Sequence, residues 1–205
     1  MMLRERCLPH VEYLEYIEGQ PTHQYIDTQQ AVNFENVKIE CEWLLRRTDQ
    51  THKSYVHIFG NYIDENNPCT RLILATSESS YYSNCDWRAG NAKTLTSLAL
   101  NTKHNIVMIP STITVDNTDY SIPSTLSNSY TNNLTVKIFS TNTTTNQSIT
   151  NHFLRIYLFR IWDGAVLLRD LAPCRYNGKI GLYDKVNKKF YGNSGVGNFT
   201  AGPKI

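Results

Sequence analysis

Between Val37 and Leu45 the odd positions, Val37, Ile39, Cys41, Trp43 and Leu45, are all apolar. Lys38, Glu40 and Glu42 stand between them. A period of two turns successive side chains to opposite sides of a strand, so one side faces a core and the other faces water. A lone strand of this kind is not stable. It requires paired neighbours and a second layer to cover its apolar side.

Neighbours of the right type recur along the chain. Ser54–Phe59 and Thr70–Ala75 are shorter strand candidates. Asn105–Val115 is another, and Pro110 within it points to an edge position or a bulge, since proline donates no backbone hydrogen bond. Phe153–Trp162 is a long apolar strand, with Arg155 and Arg160 expected on opposite faces. Asp163-Gly164 follows as a hairpin signal, and Ala165–Leu171 is the return strand. Lys179–Tyr183 and Lys189–Tyr191 flank a turn at Asp184–Lys188, and Phe199 is an aromatic able to dock the glycine-rich end on the body.

Composition argues for strands over helices. Asn, Thr and Ser supply 55 of the 205 residues and Tyr another 13, while charged residues make up 19%. Long helices draw on Ala, Glu and Lys, in which this chain is poor, and β-branched and aromatic residues favour strands. Between Ser111 and Thr150, 24 of the 40 residues are Ser, Thr or Asn. This stretch reads as polar loops joining strands such as Leu134–Phe139, with Thr141–Gln147 an exposed loop. The expected fold is all-β, an antiparallel two-sheet sandwich spanning 11–205 after an N-terminal extension at 1–10.

Several function classes are disfavoured. A net charge of +2 is too small to attract nucleic acid by counterion release. No stretch reaches the ~20 apolar residues of a membrane helix, and Met1–His10 lacks the apolar run of a signal peptide. Cys7, Cys41, Cys69, Cys85 and Cys174 are odd in number and widely spaced, which suits reduced thiols of a chain made in the cytoplasm. Residues 1–50 carry a net −4 and residues 151–205 a net +6; we read the two ends as lying side by side.

The C-terminal third carries a pattern: Arg155-Ile-Tyr-Leu-Phe-Arg-Ile-Trp-Asp-Gly164, Leu168-Arg-Asp-Leu-Ala-Pro-Cys174, Gly181-Leu-Tyr-Asp-Lys-Val-Asn-Lys-Lys-Phe-Tyr191 and Gly195-Val-Gly-Asn-Phe-Thr-Ala-Gly202. It resembles the C-terminal half of concanavalin A-like (laminin-G-type) domains found in structural and tail-associated proteins of tailed phages and prophages of intestinal bacteria. Val11–Glu18 with Gln24–Thr28 is similar to that family's opening strands. The resemblance implies a jelly roll whose first and last segments are neighbours. It also implies a virion protein without catalytic residues: a capsid-decorating, head-fibre or tail-associated subunit. Its partners would be other virion proteins and host surface glycans, and it would form a homo-oligomer, with a trimer the guess from setting. A lectin on a bacterial surface and a glycan hydrolase are the alternatives.

Sandwich glycosidases set paired carboxylates on one strand. Glu40 and Glu42 share a face, but it is the polar side of a strand and no third carboxylate follows. No hydrolase activity is expected. Glycan recognition needs an aromatic platform beside amide and carboxylate groups, and Tyr81, Tyr82, Asn84, Asp86, Trp87 and Arg88 supply these within one segment. Laminin-G-type relatives often bind calcium, and Asp64, Glu65 and Asn66 have suitable oxygens without a ligand spacing. A polar turn is the simpler reading there, so no cofactor is expected. The histidines, His10, His23, His52, His57, His104 and His152, are scattered singly.

Overall fold

A computed structural model describes residues 10–20, 24–33, 35–46, 55–61, 70–76, 81–87, 92–121, 133–141, 148–149 and 153–205. Its chain opens with strands β1 (Val11–Tyr13), β2 (Ile17–Gly19), β3 (Ile26–Ala31) and β4 (Val37–Arg46). The middle comprises β5 (Tyr55–Gly60), β6 (Thr70–Thr76), β7 (Tyr81–Trp87), β8 (Ala92–Leu98), β9 (Lys103–Ile109), β10 (Thr112–Val115) and β11 (Thr118–Ser121). Then come β12 (Thr135–Ile138), β13 (Ser140–Thr141) and β14 (Ser148–Ile149). The last third adds β15 (Phe153–Asp163), β16 (Val166–Tyr176), β17 (Lys179–Asp184), β18 (Lys189–Tyr191) and β19 (Thr200–Ala201). No helix occurs among the described residues, and none is therefore long and apolar enough to cross a membrane.

Pairing is antiparallel and makes two main sheets. The larger runs β11-β10-β9-β4-β15-β16-β17-β18, with β1 along β16 and β2 bridging β15 and β19. The smaller runs β3-β12-β5-β6-β7-β8. Alternation on β4 behaves as its residues require: Val37, Ile39, Cys41, Trp43 and Leu45 are buried, and Lys38, Glu40 and Glu42 are partly exposed. The core lies between the sheets. Phe59 of β5 meets Phe159 of β15 edge-on at 5.3 Å, and removing such a side chain from water contributes ~1.5–3 kcal/mol. Phe199 is buried against Phe139, ring centroids 4.9 Å apart, so the glycine-rich end is docked as its aromatic residue suggests.

Three expectations change. Pro110 does not interrupt one strand; it lies with Ser111 in the turn between β9 and β10, where a missing N–H costs no ladder bond. Arg155 and Arg160 do not face opposite ways. The register jumps from Ile156–Trp43 to Leu158–Glu42, so Tyr157 is an extra residue that resets the alternation. Both arginines then reach carboxylates on the solvent side. Thr141 is not in an exposed loop: it is fully buried in β13, its hydroxyl 3.1 Å from His57 Nδ1. Two further tight turns join strands, at Asp116-Asn117 and Asn177-Gly178, all four residues at positive φ, the backbone that two-residue hairpins demand.

Candidate functional site

The side chains with chemistry gather on the outward face of the large sheet, because β4, β15 and β16 put charged residues at adjacent register positions. Glu40, Arg160 and Asp170 form one cross-strand row. Arg160 donates through Nε to Asp170 at 2.9 Å and lies 3.5 Å from Glu40 through Nη1, which raises the guanidinium pKa further. Glu42 takes Lys103 at 2.9 Å. Farther along, Glu18 is only 5% exposed and is held by Arg155 at 2.7 Å and Arg46 at 3.5 Å. Arg155 also lies over Tyr16, its Cζ 4.1 Å from the ring centroid. Glu12 accepts from Arg175 at 2.6 Å.

This geometry bears directly on Glu40 and Glu42. A general acid needs a raised pKa and a nucleophile needs open access to substrate. Both glutamates instead hold basic partners, which occupy their oxygens. Asp184, buried completely, serves the β17–β18 turn: it accepts the N–H groups of Val186 and Asp170 and the Asn187 amide.

Tyr81, Tyr82, Asn84, Asp86 and Trp87 lie on β7, inside the small sheet between β6 and β8. Trp87 is the register partner of Thr70, Cys85 of Leu72 and Asn84 of Ile73, all three buried, and Asp86 pairs with Arg71. Arg88 lies outside the described residues, as do Asp64, Glu65 and Asn66, together with His23, His52 and His152. Among the described residues no cluster of three or more His, Cys, Asp and Glu is placed to hold a metal ion.

The two well-placed histidines are internal. His57 is buried, and desolvation followed by the charge of Arg71 lowers its pKa to about 4. His104 is buried beside Trp43, with Nδ1 2.6 Å from Asp116 and Nε2 2.8 Å from the Ala99 carbonyl.

Sequence reasoning missed a second set of outward residues. Tyr13, Tyr176, Tyr183 and Phe190 make a run of neighbouring rings on β1, β16, β17 and β18. A cleft of about 670 Å³ adjoins it, lined by Lys179, Phe190, Asn193, Asn198 and glycines of the 192–197 loop. Period two along Lys179-Ile-Gly-Leu-Tyr183 carries part of this signal; the meeting of four strands requires the register. Comparison of the chain with protein-family models and with curated proteins gives no match.

Proposed function

We propose that this protein is a non-enzymatic structural component of a phage particle, a capsid-decorating, head-fibre or tail-associated subunit. It works through its surfaces, packing against other virion proteins as a homo-oligomer, for which a trimer is the starting expectation, and touching host surface glycans. The setting comes from the resemblance of residues 155–202 to phage laminin-G-type domains. The observation that carries the non-enzymatic half is the engagement of Glu40 by Arg160 and of Glu42 by Lys103. A carboxylate pair engaged by cations on the same sheet stiffens a contact face and is not open to a substrate.

Light scattering of the purified chain, with and without host surface glycan, tests this reading. A discrete oligomer supports the structural role, and a mass increase on adding glycan supports contact with the host. Release of new reducing ends from that glycan, lost in Glu40→Gln, overturns the non-enzymatic reading in favour of a hydrolase. The aromatic run on the large sheet favours the stand-alone lectin as second reading, for which a monomer that binds glycan is the expected result.

A further inference from the structure

We propose that the outward face of β16, β17 and β18 is a binding platform for an acidic polysaccharide, a chain of pyranose rings bearing carboxylates. The inference rests on the glycan-contact reading above and gives it a ligand class and a place on the opposite sheet from β7.

The platform is built by one absent side chain. Phe190 on β18 and Tyr176 on β16 are separated by β17, yet their rings stack at 5.3 Å with an interplanar angle of 17°. They meet across Gly181, where any Cβ would fall 2.8 Å from the Phe190 ring. Tyr183 then follows Tyr176 at 6.1 Å, and Tyr13 meets Tyr183 edge-on at 6.5 Å. Each ring is half-buried. Apolar ring faces set in a row on an open sheet suit the C–H faces of sugars.

Charge makes the choice between neutral and acidic sugars. Arg155, Arg160, Arg169 and Arg175 all have carboxylate partners. Among the described residues, Lys179, Lys185 and Lys188 have none, and all three are exposed. Lys189 and Lys204 are likewise exposed without a carboxylate partner; of these five lysines, Lys179 and Lys185 lie beside the aromatic run. Lys179 is the cross-strand partner of Tyr176, and Lys185 Nζ lies 5.4 Å from the Tyr13 ring centroid. Asp170, the carboxylate whose field reaches Tyr13, is held by Arg160. One lysine thus flanks the run at Tyr176 and another at its Tyr13 end, and the nearby Asp170 is held by Arg160. A neutral sugar chain leaves those ammonium groups unused, and a polyanion without sugar rings leaves the aromatic faces unused.

The neighbouring cleft extends the platform past Phe190. Its loop is pre-shaped: Asn193 accepts the N–H groups of Tyr25 and Gly195 and donates to the Gly197 carbonyl. Asn198 is exposed on the cleft rim.

The test is calorimetric titration of the full chain with polygalacturonate, with dextran as a neutral sugar polymer and polyglutamate as a polyanion without sugar rings. Polygalacturonate is expected to bind, more weakly as salt rises, and the two controls are not. Lys179→Glu, at an exposed position without a carboxylate partner, and Tyr176→Ala should each weaken binding about tenfold. Equal binding of polyglutamate, or full binding by Lys179→Glu, overturns the proposal. If the polysaccharides bind but only Trp87→Ala abolishes it, this site fails and the glycan reading stands. If neither sugar polymer nor host glycan binds, both fail. An oligomer that Lys179→Glu dissolves assigns the face to a second copy of the chain and also overturns the proposal.

Discussion

A methyl group added at Gly181 would overlap the Tyr191 carbonyl oxygen and meet the Phe190 ring at 2.8 Å. Backbone on one side and a stacked aromatic on the other leave little room to relax. Gly181→Ala should cost ~1–3 kcal/mol, read as a lowered midpoint in urea. At His57 the effect is electrostatic. Burial, then Arg71, lowers the imidazole pKa from 6.5 to about 4. Between those values the unfolded chain binds a proton that the folded chain refuses. Stability is therefore complete above pH ~6.5 and falls as pH drops toward 4, by up to ~1.4 kcal/mol per pH unit. Urea melts across that range should show the slope, and His57→Gln should flatten it. Burial likewise raises the Cys174 thiol to about 12 and the Cys41 thiol well above its usual range, so a thiol reagent should label both slowly until denaturant is added. The polar side of β4 was legible in the alternation of Lys38, Glu40 and Glu42. Their partners Arg160 and Lys103 were not, because cross-strand register is a property of two segments at once.

Strand β15 carries one supernumerary residue. With Tyr157 present, Leu154 and Ile156 before it and Phe159 and Ile161 after it all reach the core. Deleting Tyr157 removes the bulge and places Leu158 directly after Ile156, so strict alternation keeps Phe159 inward and Arg160 outward in the same register. Cooperative unfolding should therefore survive that deletion, measured by circular dichroism on heating, whereas deleting Leu158 together with Tyr157 should abolish it by turning Phe159 outward. The same bulge explains why strand reading placed Arg155 and Arg160 apart: an apolar run through Leu158 hides a slip in register. At the paired position on β2, Glu18→Ala should cost ~1–2 kcal/mol, since it removes the carboxylate that Arg155 holds at 2.7 Å while both arginines stay partly solvated. Chemical denaturation measures that loss. The hairpin at Gly164 was legible from Asp163-Gly164, and Asn177-Gly178 carried an equally strong turn signal.

At the scale of the molecule, the acidic start and basic end are neighbours. Strand β1 lies along β16, β2 lies beside β15 and β19, and Leu14 bridges Lys204. Glu12 and Glu18 spend their charge on Arg175 and Arg155, so the opposed charges of the two ends are largely consumed within one sheet. Phe199→Ala should cost ~3–5 kcal/mol and lower the melting temperature by calorimetry, because Phe199 packs on Phe139 beneath that seam. Fold class was readable from periodicity and composition; which strands share a sheet was not, since pairings between residues 11–19 and 154–204 span nearly the whole chain. That span also has a consequence in time. Strand β2 emerges from the ribosome long before β15 and β19 exist, and its buried Ile17 and Glu18 must wait unpaired for them. Closing so long a loop is slow. The nascent chain therefore passes through a stage in which the small sheet can assemble while the large one is still open, and that open edge is where a chaperone or a second nascent copy would first take hold.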